Sequence, residues 1–425
     1  MGARSLGLMS LAVPSPVETR HADGAPPLPV DADLLRKTAW IWVALAGAFC
    51  AFDLWRKTAV GLTNGGGRPF GDDFINYFSG AFLALHQRAG EVYHWGAYHA
   101  FQEQLVGAAV SPNYNYSYPP VLLVLTLPFA LLPYVPAFAV WLAGGWYAFY
   151  RALRLAMPDN ALLFALAAPA VFVNTYCGQN GVWTAAFLGG GLCVLERRPV
   201  IAGMLFGLQV YKPHLALMIP VALLAGRQWR AIVAAGVTAG ALLLASVALA
   251  GLETWRDFLD VVPLLRQVTL EQADAVWHRN VSVFMAVNRL GVGSSAAYAA
   301  QMIAGLLAAA LVALAWFKDV PAPARNAAVV IGALLSTPYL QDYDLVVCAF
   351  AVAWLMKPAT QPVWIASALL LALPLFAGSL AKLSGLAFGP LFVIPAFILT
   401  VQRILAHLRE SHEAPGQPRA RAGGI

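Results

Sequence analysis

Apolar stretches of helix length recur along almost the whole of this 425-residue chain, and they restrict its fold more than any other feature. Hydrophobic residues make up 60% of the sequence and charged residues only 11%, against roughly 25% charged residues in a soluble domain. Because no soluble core could bury so much apolar surface, the chain is predicted to lie in a membrane. The stretches are continuous and long, which favours transmembrane helices over a β-barrel.

The hydropathy pattern predicts an all-α, polytopic bundle of about 12 transmembrane helices, at ~20 residues for each crossing. The first span is expected at about Thr38–Trp55. The 120–150 stretch contains Pro133 and Pro136, so one of its halves is expected to be a partial or re-entrant helix. The other apolar stretches are 160–175, 181–195, 199–226, 230–250, 298–317, 326–340, 343–357, 362–378 and 386–407.

Basic residues set the expected orientation in a cell inner (plasma) membrane, because Lys and Arg concentrate in cytoplasmic loops. Residues 37–408 are predicted to form the membrane domain, between disordered cytoplasmic tails at 1–36 and 409–425. The net charge of +6 comes from such flanks and does not indicate nucleic-acid binding. The basic flanks are Arg151 and Arg154, Arg197 and Arg198, Arg227 and Arg230, Lys318 and Arg325, Lys357, Arg403, Arg409, Arg419 and Arg421.

This orientation places most of the unusual polar residues on the extracytoplasmic side. A first polar loop, 56–118, follows the first span, and a second polar loop is predicted at 251–282. Within the first loop, Phe74–Leu85 has apolar residues at helical spacing and is expected to form an amphipathic helix on the membrane surface. Short polar segments at Gly178–Asn180, Lys212–Pro213 and Gln341–Tyr343 are expected on the same side.

Asp72 and Asp73, at the lip of the first span, are candidate catalytic residues because carboxylates near hydrocarbon are costly to maintain. One of them could act as a general base toward a hydroxyl group. The structural alternative is a helix N-cap before Phe74, with Asp72 the favoured cap. Both roles can hold together, since neighbouring residues on a helix point about 100° apart.

Three cations are candidate ligands of a phosphate. Lys212 precedes Pro213 in an apolar stretch, where it is either a phosphate-binding cation or a lysine that reaches the interface. His278 and Arg279 end the second polar loop and suit a phosphodiester, although an ordinary interfacial charge cluster has the same composition.

Amide, tyrosine and carboxylate side chains at the ends of spans predict a sugar-binding pocket, which needs directional hydrogen bonds and flat apolar faces. The alternative is helix capping and an aromatic belt. The residues concerned are Tyr118, Gln179, Asn180, Tyr339 and Asp342. No Walker loop, nucleotide-binding glycine motif or Cys/His metal spacing is present, and so neither a nucleotide cofactor nor a metal site is expected. Cys50, Cys177, Cys193 and Cys348 are interpreted as small buried hydrophobes.

The order of several short motifs resembles that of glycosyltransferase family 87, over about residues 38–400. The motifs are Asp-Phe-x-x-Tyr-x-x-Gly-Ala from Asp73, Tyr-Pro-Pro at 118–120, Gly-Gln-Asn at 178–180, Glu-Arg at 196–197 with Ala-Gly at 202–203, Lys-Pro at 212–213, Asn-x-Ser at 280–282, and Thr-Pro-Tyr followed by Asp-Tyr-Asp within 337–344.

The resemblance implies a GT-C fold, a polyprenyl-phosphate sugar as donor, a lipid or glycan as acceptor, and inversion at the anomeric carbon. It implies that Asp73 is the general base, with Asp72 as an additional acid, and that mannose is transferred. Tyr77 and Asn280 lie in shared motifs and are assigned with the sugar- and acceptor-binding residues. A need for divalent metal stays open. Composition alone also allows a transporter or flippase of a lipid-linked or small polar solute, or a non-catalytic scaffold subunit.

Overall fold

The computed structural model describes residues 32–272, 276–357 and 360–413, and every regular element in these ranges is a helix. The predicted all-α class is therefore confirmed. The helices are α1 Ala32–Arg56, α2 Phe74–Leu85, α3 Trp95–Val106, α4 Val121–Thr126, α5 Tyr134–Ala156, α6 Ala161–Ala167, α7 Pro169–Tyr176, α8 Gly181–Val194, α9 Pro199–Leu208, α10 Met218–Ala225, α11 Trp229–Arg266, α12 Val283–Asn288, α13 Ser294–Phe317, α14 Ala322–Ser336, α15 Cys348–Leu355, α16 Gln361–Ser384 and α17 Gly389–Glu413.

Short 3₁₀ or π turns extend or join these helices, at Ala89–Glu91, Leu127–Leu131, Gln209–Tyr211, Pro213–Leu215, Gln267–Glu271, Trp277–Arg279 and Asp342–Val347. The terminal helices extend beyond the apolar stretches into both predicted tails, since α1 begins at Ala32 and α17 ends at Glu413. An exposed Asp33–Lys37 pair at i,i+4 supports the additional first turn of α1. The rest of the predicted tails, 1–31 and 414–425, lies outside the described residues.

Five helices of the described chain are long and apolar enough to cross a membrane: α1, α11 with its π turn, α13, α16 and α17. A sixth candidate is the pair 121–131 and 134–156, whose halves are bent by 118° at Pro133. This bend agrees with the expected partial or re-entrant helix. The count of about 12 spans stays a prediction, because prolines divide other apolar stretches into shorter helices, as Pro169 does between α6 and α7.

The helix predicted at Phe74–Leu85 is present with these bounds as α2, but it does not lie on a surface. Ten of its twelve residues are buried, including the polar residues Asn76 and Ser79. Tertiary contacts bury α2: it packs against α4 and the Leu127–Leu131 turn, and α3 and α5 also contact α2. By contrast, α3 buries a single face, on which Tyr98, Phe101, Gln102 and Val106 recur at helical spacing.

The predicted second polar loop is mostly helical, which corrects the interpretation of 251–282 as a loop. Gly251 has φ +81 and kinks α11, which then continues to Arg266. Glycine allows this left-handed conformation without a Cβ clash. The helix forms because Phe258 and Val261 pack against the aromatic cluster around α2, which buries one face of a segment that is polar on average.

Three loops meet beside the N-terminus of α2, and two glycines allow their contact. A Cβ on Gly178 would lie 2.0 Å from the carbonyl oxygen of Gly71, and a Cβ on Gly181 would lie 2.1 Å from that of Tyr343. The backbone N–H of Asp73 also donates to the carbonyl of Cys177, at 3.1 Å. The loops that follow α1, α7 and α14 are thereby brought together at one point.

Candidate functional site

Asp73 lies at this meeting point of the three loops, immediately before α2. It is the N-cap residue of that helix by position, but its side chain makes no capping hydrogen bond. Its Oδ2 atom instead accepts a hydrogen bond from Nε2 of Gln179, at 2.8 Å. Burial, and then the neighbouring Asp72 carboxylate, raise the pKa of Asp73 to about 6. Its carboxylate therefore faces Gln179 and takes up a proton at a higher pH than an ordinary aspartate does.

Asp72 has a different environment, although it is the adjacent residue. It adopts a left-handed conformation with φ +48. Its carboxylate accepts hydrogen bonds from the buried ammonium of Lys57, from Arg68 Nη2 at 2.6 Å and from Tyr114 Oη at 2.5 Å. Asp53 on α1 also pairs with Lys57, at 2.5 Å. These contacts use both carboxylate oxygens of Asp72, so its geometry indicates an anchor between the loop and α1.

A continuous hydrogen-bond network extends from Asp73 through the predicted sugar-binding residues. Tyr77 Oη donates to Gln179 Oε1 at 2.5 Å and accepts from Asn180 Nδ2 at 3.2 Å. Asn180 Oδ1 in turn accepts from Lys212 Nζ, at 2.9 Å. Tyr118 Oη lies 3.1 Å from Tyr77 Oη. Six predicted site residues from four separate segments are thus joined by direct contacts.

Lys212 is almost fully buried, and its charge is compensated within the protein. Its ammonium donates to Asp344 Oδ1 at 2.5 Å and lies 5.0 Å from the centre of the Tyr343 ring. Asp344 also accepts from the backbone N–H of Gln341. A buried lysine needs such a carboxylate, because an unpaired charge is expensive there.

Three neighbouring cavities share lining residues at the site, and the first, the amide cavity, has a volume of about 330 Å³. Its walls combine aromatic faces with amide groups, the composition typical of a carbohydrate-binding pocket. The residues that define it are Asp73, Tyr77, Trp95, Asn113, Asn115, Tyr118, Gln179, Arg279, Gln341 and Tyr343.

The second, the lysine cavity, has about 350 Å³ and shares Tyr118, Gln341 and Tyr343 with the amide cavity. Lys212, Tyr339 and Asp344 line its other side. The structure therefore places Lys212 and Tyr339 next to the amide cavity and not in it.

The third, the cationic cavity, has about 660 Å³ and meets the amide cavity at Asp73, Asn113, Val276 and Arg279. One part of its wall carries nitrogen groups, and another part is apolar and comes from the helices α1, α7 and α16. The nitrogen groups belong to Arg68, His278, Arg279 and Lys382, and the apolar residues include Phe49, Phe172, Val173, Pro374 and Leu375. The carboxylates of Asp72, Asp73 and Asp342 also line this cavity.

The guanidinium of Arg279 forms hydrogen bonds with the carboxylate of Asp342, so two predicted site residues are in direct contact. The guanidinium donates to both carboxylate oxygens, from Nε at 3.2 and 3.0 Å and from Nη2 at 2.8 Å. Within the described chain its hydrogen bonds use only Nε and Nη2, so Nη1 remains available to a ligand. His278 is not a cation at neutral pH, because burial and the nearby Lys382 and Arg279 charges lower its pKa to about 4.

Two predicted site residues, Asn180 and Asn280, line none of these cavities. Asn280 is held by neighbouring segments of the chain. Its side chain donates to the carbonyl of Pro338 at 2.9 Å and accepts from the backbone N–H of Ser282 at 3.0 Å. Its backbone forms a β-bridge with Gln341. It therefore joins the His278–Ser282 segment to the loop before α15, and the contact with Pro338 places its amide away from the ligand space.

Several lining residues were absent from the sequence prediction. Arg68 and Lys382 are ordinary flanking cations by sequence, and Asn113 and Trp95 carry no spacing signal. Their proximity depends on contacts between distant segments, so no local pattern could have identified them. Among the described residues, no three His, Cys, Asp or Glu side chains are grouped so that they could hold a metal ion.

A sequence model of glycosyltransferase family 87 matches residues 116–338, slightly more than half of the chain. No curated protein matches the chain, and no solved structure matches it. The matched region includes Tyr118, Gln179, Asn180, Lys212 and Arg279, which meet at the site described above. The chain belongs to glycosyltransferase family 87, and its apolar helices make it a membrane-embedded member of that family.

Proposed function

We propose that this protein transfers a hexose, mannose by the family resemblance, from a polyprenyl-phosphate sugar to a lipid or glycan acceptor, with inversion. One observation carries the proposal: Asp73 lines the boundary between the cationic cavity and the amide cavity. A general base at that boundary would face an acceptor on one side and a donor on the other. The family membership supplies the reaction class, and the two cavities supply a place for each substrate.

The cationic cavity suits the donor, because its wall offers nitrogen groups for a phosphodiester and apolar side chains for a lipid. In the described chain, Nη1 of Arg279 has no protein partner and the ammonium of Lys382 forms no ion pair. His278, as a neutral imidazole, would donate a hydrogen bond without adding charge. We assign Arg279, His278 and Lys382 to the donor phosphate, with Arg68 at the edge.

The amide cavity suits a sugar acceptor, because Trp95, Tyr118 and Tyr343 provide flat faces and Asn113 provides hydrogen bonds. Tyr77, Gln179 and Asn180 orient the base and the cavity wall through the network. Lys212 and Tyr339 would extend this acceptor site in the lysine cavity. Lys212 lies in a different cavity from His278, so we assign it to the acceptor side and not to the donor phosphate.

In the proposed reaction, Asp73 removes the proton of an acceptor hydroxyl, whose oxygen attacks the anomeric carbon. The new glycosidic C–O bond forms on the face opposite the phosphate. The C–O bond to the phosphate breaks, and the polyprenyl phosphate leaves with the electron pair. Fixed donors such as Arg279 stabilise the charge that develops on this leaving group, so a general acid is not needed.

The proposal places the site on the extracytoplasmic face of the plasma membrane and both termini in the cytoplasm. The asymmetric distribution of arginine and lysine supports this orientation. No cofactor is invoked, because the donor is already activated by its phosphate, and the partners are the lipid-linked donor, the acceptor and membrane lipids.

The test is transfer of labelled mannose from a polyprenyl-phosphate donor to envelope lipids and glycans by the purified protein in lipid. We expect Asp73→Asn to abolish transfer, because an amide cannot accept the hydroxyl proton, while the protein remains folded. Asp257→Asn, a carboxylate outside the three cavities, is the matched control and should retain activity.

Two results would contradict the proposal. Full activity of Asp73→Asn would exclude Asp73 as the base. Absence of transfer by the wild-type protein from a panel of polyprenyl-phosphate sugars would exclude this donor class and favour a transporter or flippase.

A further inference from the structure

We infer that the cleft between α1, α6–α7 and α16 binds the isoprenoid tail of the donor along most of the membrane thickness. This inference rests on the proposed function, because it states where the lipid tail of the proposed donor binds. It adds that the enzyme distinguishes donors by the length of the tail.

Two separate cavities lie along this cleft. The cationic cavity occupies one end, where Phe49, Phe172 and Leu375 contribute its apolar wall. A mostly apolar cavity of about 490 Å³ occupies the other end, between the same three parts of the structure. It is lined by Leu35 and Ala39 of α1, Phe164 and Ala168 of the α6–α7 segment, and Ala368 and Leu371 of α16.

The two cavities follow each other along each helix. On α16, the lining continues from Leu371 to Leu375, one turn further on, and on α7 it continues from Pro169 to Phe172. The ring of Trp42 on α1 lies 5.3 Å from that of Phe172, which lines the cationic cavity. A chain that follows the helices would therefore pass from one cavity to the other.

The distribution of charged side chains along the cleft indicates which kind of ligand the cleft would bind. The donor-facing end carries three cations, of which Arg68 and Arg279 pair with aspartates and Lys382 forms no ion pair within the described chain. The remainder of the cleft is dominated by aliphatic and aromatic side chains. A lipid with one anionic group and a long hydrocarbon chain matches this asymmetry. The apolar part also has a defined length: from Trp364 to Lys382, α16 spans about 27 Å at 1.5 Å per residue, close to the ~30 Å hydrocarbon core of a bilayer.

A second apolar cavity, of about 420 Å³, lies between α1 and α5 and could in principle hold a lipid chain. Leu54, Val135, Phe138, Ala143 and Trp146 line it. No charged side chain lines it, and none of its lining residues is on α16, the helix that lines both the cationic cavity and the apolar cavity at the other end of the cleft. The cleft beside α16 is therefore the site that connects a tail to the reaction centre.

The experiment compares two mannosyl phosphate donors, one with an undecaprenyl tail and one with a short citronellyl tail, in the wild-type protein and three tryptophan variants. Ala368→Trp fills the cleft far from the phosphate end, at a residue whose side chain is exposed. Ala143→Trp fills the cavity between α1 and α5 in the same way. Ala310→Trp on α13 is an exposed control outside all of these cavities.

We expect Ala368→Trp to lower the ratio of kcat/KM for the long donor to that for the short donor about tenfold, mainly through KM. Because the short tail does not reach Ala368, an unchanged kcat/KM with the short donor shows that the variant is folded. Ala143→Trp and Ala310→Trp should leave the ratio at its wild-type value. An unchanged ratio in Ala368→Trp, or a change confined to Ala143→Trp, would overturn the inference. If the wild-type protein used neither donor, the proposed function itself would fail, which is a distinct result.

Discussion

At the scale of single residues, the site depends on a contrast between two neighbouring aspartates. Asp72 is surrounded by Lys57, Arg68 and Tyr114, which compensate its charge. The Asp73 carboxylate accepts a hydrogen bond from the amide of Gln179, and Asp73 lines two cavities. Sequence reasoning identified the pair but could not separate its members, because the cations that anchor Asp72 come from other parts of the chain.

The pKa of Asp73 predicts how activity depends on pH. Because that pKa is raised to about 6, the carboxylate is lost as pH falls through this value, and a general base acts only when ionised. We expect kcat/KM to increase with pH up to about 6 and then to level off. The measurement is a rate profile of the purified enzyme with saturating acceptor.

A variant at Gln179 sharpens this test. The hydrogen bond from Gln179 favours the ionised form of Asp73, so Gln179→Leu should move the rise in activity to higher pH. A profile that is flat across this range in the wild-type enzyme would show that Asp73 does not titrate as the base.

The anchor of Asp72 leads to a prediction about stability. Lys57→Met removes the buried ammonium that compensates both Asp53 and Asp72. Breaking a buried ion pair in this way costs about 3–5 kcal/mol, because an uncompensated charge remains. We expect a clearly lower midpoint of thermal unfolding in detergent.

Lys37→Met is the matched control on the same helix. The side chains of its pair with Asp33 are 71% and 59% exposed, and such surface pairs contribute about 1 kcal/mol or less. Equal unfolding midpoints for the two variants would argue against the anchoring role of Lys57.

At the scale of elements, close contacts between loops determine where the base lies. The helix that follows Asp73 was predictable with its bounds, because apolar periodicity is a local property. Its burial was not predictable, because α4, α3 and α5 cover it from other parts of the chain. The contact of Gly71 with Gly178 likewise links segments that no short motif relates.

We predict that Gly178→Ala lowers transfer by about 100-fold, since a shift of about 1 Å in a positioned group can cost that much. The new Cβ would lie 2.0 Å from the Gly71 carbonyl oxygen, so the Asp73 loop must move away from Gln179. The measurement is kcat with both substrates saturating.

Gly107→Ala provides the control for backbone strain. Gly107 has φ +69, close to the φ +61 of Gly178, but nothing lies within 4 Å of the added Cβ. The transfer activity of Gly107→Ala should remain close to that of the wild type. A similar loss in both variants would attribute the effect to the left-handed conformation and not to displacement of Asp73.

At the scale of the whole molecule, the helices place the three cavities around one end of the bundle and leave the basic flanks elsewhere. The predicted orientation has a direct test in cysteine labelling of intact cells with a membrane-impermeant maleimide. Gln104→Cys on α3 should react from outside, whereas Arg198→Cys before α9 should react only after lysis. Both positions are exposed.

The unmodified protein, which keeps its four native cysteines, gives the background for this experiment. Reaction of Arg198→Cys in intact cells would reverse the orientation and with it the side on which the proposed site lies.

The sequence by itself determined the class of the molecule: a helical membrane protein with an acidic site before a helix at Phe74, in a recognisable order of motifs. Hydropathy and helical periodicity are set by residues close together in the chain, which is why these features could be predicted. Only the tertiary structure decided that ion pairs hold Asp72 while Asp73 lies between two cavities, and that Lys212 lines a different cavity from His278. Those outcomes depend on ion pairs between distant residues, such as Lys212 with Asp344 across 132 positions, whose free energy exists only once the helices have packed.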